Sequence, residues 1–164
     1  MSIVGKLLYA AGGLAVGLLL AGRLGALGGV PPATLGVRDG RLAPPSDTPN
    51  SVSSQAGLYP QHPMRSQAAI APLALVGGDG AATLARIEAI AAGTDGAQPI
   101  ERRPDYLRYT YTSRVLRFVD DTEFWFDPAA GAVQVRSASR LGRRDFDVNR
   151  QRIEAIRTRL AAPA

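Results

Sequence analysis

Apolar and polar positions follow three regimes along this chain. From Leu7 to Gly22 there is no charge at all, only Leu, Ala, Gly, Val and Tyr. From Val30 to Pro72 periodicity lapses in a Pro-, Gly- and Ser-rich stretch, which reads as irregular backbone. From Leu73 onward short apolar runs alternate with turn signals. The chain therefore divides into a membrane anchor or signal segment (1–29), an irregular segment (30–72) and a globular domain (73–164).

Elements in the last regime can be placed by period. Leu73 to Val76 reads as a strand. Asp79 is placed to cap a helix from Gly80 to Ala92, with Leu84, Ile87 and Ala91 on one face and Gly93 ending it. Ile100 to Arg102 is a short strand, and Arg103-Pro-Asp105 a turn. Tyr106 to Val115 alternates, placing Leu107, Tyr109, Tyr111 and Val115 together. Arg117 to Phe126 and Ala132 to Leu141 follow as strands around a turn at Asp127–Gly131. Asp147 is placed to cap a final helix, Val148 to Leu160, with Asn149, Ile153, Ile156 and Leu160 along one side. Arg150 and Glu154 have the spacing of an ion pair on that helix. The expectation is an α+β fold: a two-layer domain with a four- to five-stranded, mainly antiparallel sheet and two helices, preceded by a transmembrane helix.

The run from Leu7 to Gly22 covers about 24 Å as a helix. Adding Ile3 to Gly5, with Lys6 snorkelling, brings it close to the roughly 30 Å hydrocarbon layer. A basic start, an apolar run and small residues at Ala26 and Gly28 also fit a signal peptide, but no sharp cleavage signal is present. An uncleaved anchor is the preferred reading. Gly13, Gly17 and Ala21 recur every fourth position, a spacing that permits close helix packing in lipid and that abundant Gly and Ala also produce.

Composition narrows the chemistry. With no cysteine, thiolate metal sites and Cys nucleophiles are excluded. The lone His62 sits in a Pro-flanked loop, so a His-rich metal site is excluded and a Ser-His-Asp triad would have to recruit it. A loop His at a turn is the simpler reading. The net charge of +5 comes from 19 basic residues, all Arg except Lys6, against 14 acids. That favours anionic surfaces in general, but zinc fingers, helix-turn-helix turns and basic-aromatic RNA motifs are missing, and no nucleic-acid partner is expected. Gly77-Gly-Asp-Gly80 lacks the third dinucleotide-loop glycine and a P-loop lysine, so it reads as a turn with an Asp cap. No cofactor or metal is expected.

The densest polar chemistry lies near the C-terminus. Pairing Asp127 with Ala132 sets Phe126 opposite Val133 and Phe124 opposite Val135, which with Phe118 form the core face. Glu123 then faces Arg136 on the other side, and Asp121 lies diagonal to Arg136 and Arg140, an outer ladder of exposed pairs. Asp120 points instead to the core face, opposite Ser139 and beside Ser137, where hydroxyls or a helix N-terminus are its expected donors. Asp120, Asp121, Glu123, Arg136, Arg140, Asn149 and Arg150 thus form the candidate cluster for an anion or partner. A structural polar network is the favoured reading and an anion site the rival. Catalysis by the three acids lacks a matching nucleophile or metal site.

Several segments carry a resemblance. Leu35-Gly-Val-Arg-Asp-Gly-Arg-Leu-Ala-Pro44, Thr48-Pro-Asn-Ser-Val-Ser-Ser-Gln55, the Asp120-Asp121 strand, Arg136-Ser-Ala-Ser-Arg140-Leu-Gly142 and Val148-Asn-Arg150 together resemble the domain of unknown function 1499 family. The resemblance covers about Leu35 to Leu160 and transfers no catalytic residue. It implies a bacterial envelope protein with an N-terminal membrane segment. Many relatives carry one Cys in the segment matching Pro44-Pro45-Ser46 and another at Ser51. Their joint absence here suits a dispensed disulfide and, by implication, an oxidising compartment. That favours a domain on the periplasmic side of the inner membrane, although Arg23, Arg38 and Arg41 after the anchor favour the cytoplasm by the positive-inside rule.

The functional expectation is a membrane-anchored, non-enzymatic binding or accessory domain. Its rivals are an enzyme or anion-binding domain using Asp120, Asp121, Arg136 and Arg140, and an accessory subunit of a larger membrane complex. The expected partners are the membrane, through the N-terminal helix, and a protein or membrane complex.

Overall fold

The computed structural model describes residues 2–162. Helix α1 (Ile3–Arg23) begins at Ser2, whose side chain accepts from Gly5 N–H. It is long and apolar enough to cross a membrane, and none of its apolar window is buried in the protein. Only Gly22 is covered.

The sheet has six strands, each paired antiparallel. These are β1 (Ser51–Ser53), β2 (Leu73–Ala74), β3 (Ala97–Arg103), β4 (Tyr106–Thr112), β5 (Val119–Asp127) and β6 (Ala132–Ser139). The order is β1-β6-β5-β4-β3, with β2 also paired to β6. The β5–β6 register is the expected one: Asp120 opposite Ser139, Glu123 opposite Arg136, Phe124 opposite Val135 and Phe126 opposite Val133.

Helices α3 (Gly80–Ala92) and α4 (Val148–Ala161) cover one face. Leu84, Ile87, Ala91, Ile153, Ile156 and Leu160 pack there on Leu107, Tyr109, Tyr111, Phe124, Val133 and Val135. Asp79 caps α3 by accepting from Ala82 N–H at 3.0 Å. Gly80 lets α3 start against Phe126, whose ring atoms occupy the space a Cβ would need.

Several expectations shift. Val115 does not continue β4; it lies in the β4–β5 loop and is 65 % exposed. Asp147 does not cap α4. Its backbone is left-handed and its side chain makes no cap bond, whereas Asp145 accepts from Asn149 N–H and Asp147 N–H. The expected Arg150–Glu154 pair is replaced: Glu154 binds Arg157, and Arg150 donates to the carbonyls of Gln67 and Ala69.

Irregular composition in residues 30–72 conceals ordered structure. This segment supplies β1, a 3-10 turn (Ala56–Leu58) and the short helix α2 (Arg65–Ala68). Its stretch from Val37 to Leu42 closes the second face of the sheet, where Leu42 packs on Tyr106 and Trp125 with Val37 alongside. Few backbone partners are available to such a strap, so side chains serve instead. Gln55 Oε1 accepts from Leu42 N–H, Tyr59 O–H donates to Leu42 C=O, and Arg136 Nε donates to Pro44 C=O.

Candidate functional site

The cluster expected from the sequence divides between the two faces of the sheet, because alternate residues of a strand point opposite ways. Asp120, Thr122, Ser137 and Ser139 face the helices. Asp121, Glu123 and Arg136 face the strap.

On the helix side the organising residue is Asn149, fully buried at the start of α4. Its Oδ1 accepts from Ser137 O–H at 2.6 Å and from Arg152 Nη1 at 2.6 Å. With Ser137 donating to Asn149, Thr122 O–H donates to Ser137 at 2.7 Å. Asn149 Nδ2 reaches Asp145, Ser139 and the Asn50 carbonyl at 2.8–3.1 Å. Arg152 completes the group. It binds Asp120 Oδ2 at 2.6 Å and Ser137 Oγ at 2.9 Å, and its guanidinium lies 4.4 Å from the Tyr111 ring centre. Burial pushes the Tyr111 phenol up to about 12. Asp120 thus faces inward as expected, but its partner is a guanidinium rather than the flanking serines. Arg152 lies outside the cluster the sequence points to, and Arg150 does not join it.

The strap side corrects the expected exposed ladder. Glu123 and Asp121 are 0 % and 1 % exposed and Arg136 is 4 % exposed, because the strap seals this face. Glu123 Oε1 accepts from Gly36 N–H at 2.7 Å and Tyr106 O–H at 2.8 Å. Its Oε2 faces Arg136 Nη1 at 3.6 Å, and neither atom has a hydrogen bond. Arg140 grips Asp121 through Nε and Nη2 at 2.7 and 2.9 Å, a bidentate pair. Arg108 approaches Asp121 at 4.0 Å.

Burial controls the electrostatics here. It raises the Glu123 carboxyl above its ordinary value, and the Arg136 charge, the Gly36 N–H and the Tyr106 O–H only partly pull it back. Burial lowers Arg136 even though Glu123 and Asp121 hold its proton. Desolvation of this pair therefore outweighs its attraction. Tyr106 is raised by burial and then by Glu123, which keeps its proton on the hydrogen bond. Arg140 shifts the other way, because its hydrogen bonds to Asp121 outweigh burial.

A cavity of about 250 Å³ opens beside this group, lined by Asn50, Asp121, Arg136, Ser139 and Arg140 among others. Two buried polar atoms of its lining residues, Asn50 Oδ1 and Arg136 Nη1, have no hydrogen-bond partner. Among the described residues no cluster of three His, Asp or Glu could hold a metal. Gly77-Gly-Asp-Gly80 is a turn and a cap, and His62 pairs with Asp47 at 3.4 Å.

A helix of membrane-spanning length, an antiparallel sheet with helices on one face and a strap on the other, and charged networks on both faces define an α+β protein with an N-terminal apolar helix. Residues 41–160 match the family model described as Protein of unknown function (DUF1499), and the chain belongs to this family. No curated protein and no solved structure matches the chain.

Proposed function

We propose that this is a membrane-anchored, non-enzymatic binding or accessory domain of the cell envelope. The observation that carries this reading is α1, which spans bilayer length with its apolar side chains uncovered by the rest of the chain. The arginines of the polar cluster are already engaged within the fold: Arg140 by Asp121, Arg136 by Glu123 and Pro44, Arg150 by the carbonyls of Gln67 and Ala69. The domain lies on the periplasmic side in this reading, from the cysteine pattern of the relatives. Its partner is a protein, with the chain an accessory to a larger membrane complex.

Carbonate extraction tests the anchor: the full chain stays with the membrane pellet, and release into the supernatant would refute it. Native mass spectrometry from mild detergent tests the accessory role, for which a bare monomer is the adverse result. A C-terminal reporter active only in the cytoplasm would overturn the periplasmic placement.

A second reading has one observation in its favour, the cavity beside Arg136 with its unpartnered Nη1. In that reading a small oxyanion enters this cavity and accepts from Arg136 Nη1. Titrating phosphate and sulfate against the full chain by calorimetry separates the two. Binding that Arg136→Met abolishes, in a variant still folded by circular dichroism, favours this second reading.

A further inference from the structure

The end of the domain nearest α1 has a surface unlike the rest. Two loops meet there: Ser113–Phe118 between β4 and β5, and Arg140–Asp147 between β6 and α4. They flank an open cleft of about 430 Å³ lined mainly by apolar side chains, including Leu116, Phe118 and Leu141. Val115, Phe146 and Val148 at its rim are 65 %, 85 % and 45 % exposed. Phe146 and Asp147 are consecutive left-handed residues, with φ of 53° and 65°. A bulky residue adopts that conformation at a cost. Here the cost is spent on turning a phenyl ring into solvent.

Five exposed arginines lie on these loops or at the end of α1: Arg114 and Arg144 line the cleft, Arg117 and Arg143 belong to the same loops, and Arg23 ends the helix. Among the described residues none of them makes an ion pair or a side-chain hydrogen bond, in contrast to the engaged arginines of the cluster. The acids of the cleft are Asp120, committed to Arg152, and Asp145, committed to Asn149, with Asp147 next to Phe146 in the chain.

The anchor fixes where this surface lies. Helix α1 is 21 residues long, about 31 Å at the helical rise, matching the hydrocarbon layer. Its last turn touches the domain. A Cβ on Gly22 would collide with the backbone of Leu116, so the β4–β5 loop sits directly against the end of the span. Gly29, in the following turn, lies against Arg140 and Leu141 in the same way. A loop in contact with the penultimate residue of a bilayer-length helix lies at the boundary of the hydrocarbon.

We propose that this end of the domain is a second membrane contact: Val115, Phe146 and Val148 enter the interfacial layer while the five arginines bind anionic phospholipid headgroups. The inference rests on α1 being a membrane anchor. Its physical basis is the one that seats interfacial segments generally, apolar side chains in the acyl boundary and basic side chains at the headgroups. A domain held in this way is fixed against the bilayer instead of swinging on its anchor.

The absence of cysteine makes the test direct. Phe146→Cys, Val115→Cys and Ala130→Cys each carry one environment-sensitive fluorophore, Ala130 lying in the β5–β6 turn at the other end of the sheet. The labelled full-length proteins are reconstituted in phosphatidylcholine vesicles, with and without phosphatidylglycerol, and quenched by nitroxide lipids. Labels at 115 and 146 should shift to the blue and be quenched several-fold more than at 130, more strongly with phosphatidylglycerol. Replacing Arg114, Arg117, Arg143 and Arg144 together by Gln should remove the phosphatidylglycerol dependence. Proteins that float with vesicles while all three labels remain equally water-exposed would overturn the second contact and leave the anchor standing. Quenching indifferent to phosphatidylglycerol would overturn the headgroup role. Failure to float would refute the anchor itself.

Discussion

Arg152 Nη2 meets Asp120 Oδ2 at 2.6 Å across the interface between α4 and the sheet, and both side chains are only 11 % exposed. One guanidinium thereby ties β5, β6 and α4 together, through Asp120, Ser137 and Asn149. Arg150, two residues earlier, points away to the Gln67 and Ala69 carbonyls.

Arg152→Met should therefore destabilise the domain by about 2 kcal/mol or more, since it strands a nearly buried carboxylate. Arg150→Met removes only hydrogen bonds to exposed carbonyls and should cost about 1 kcal/mol or less. Urea denaturation of the two variants checks the order. Equal losses would mean that Asp120 finds other donors.

The Glu123–Arg136 pair predicts a distinctive pH dependence. The folded state holds Glu123 above its ordinary value of 4.5, so folding favours its protonated form. This contribution is fully present below that ordinary value and is lost as pH rises through the elevated folded value. Glu123→Gln removes the titration, so wild type should gain stability relative to this variant on acidification. At neutral pH the two should lie within about 1 kcal/mol, because the ionised pair costs desolvation. Arg136→Met leaves the carboxylate buried without a counter-charge and should cost about 3 kcal/mol at neutral pH. That cost should shrink on acidification, when Glu123 takes up its proton. Replacing both by Leu and Met should recover most of it. Denaturation curves across pH decide, and a wild type that loses ground to Glu123→Gln on acidification would reverse the sign.

The β5–β6 register was legible because Phe124, Phe126, Val133 and Val135 allow only one alignment of apolar faces. The meaning of the opposite face was not legible. Glu123, Asp121 and Arg136 look like a solvent ladder to anyone reading a hairpin in isolation. They are buried because a Pro- and Gly-rich strap, lacking any period, returns to cover them, and composition does not reveal such a long-range contact. Arg152 could have been found. On α4 it lies about 60° from Asn149 around the helix axis, whereas Arg150 lies about 100° away on the other side. The buried stripe of Asn149, Ile153 and Ile156 places Arg152 nearer the sheet.

Helix α4 offers a contrast between neighbouring acids. Asp145 accepts from Asn149 N–H and Nδ2, at 3.1 and 2.8 Å. Asp147 occupies the cap position with a left-handed backbone and no cap bond. Asp145→Ala should cost about 1 kcal/mol or more, the usual loss for a helix cap. Asp147→Gly should be neutral or stabilising, since glycine tolerates φ of 65° freely. Thermal melts of the two variants are sufficient. A larger loss for Asp147→Gly than for Asp145→Ala would contradict this assignment.

The strap can be closed on itself. Ser46 N–H donates to Ser51 Oγ at 2.9 Å, so the side chain at 51 is already directed at residue 46. Ser46→Cys together with Ser51→Cys should therefore close a disulfide without rearranging the loop. Reduced, the double variant loses the Ser51 hydrogen bond and should be about 1 kcal/mol less stable than wild type. Oxidised, closing so short a loop should contribute about 2 kcal/mol, leaving it above wild type. The bond would also restrain Pro44, whose carbonyl accepts from Arg136 Nε at 3.0 Å. Free-thiol titration combined with urea denaturation, with and without reductant, measures both steps. Thiols that stay free in the folded protein under mild oxidant would show that residues 46 and 51 do not approach closely enough to be bridged.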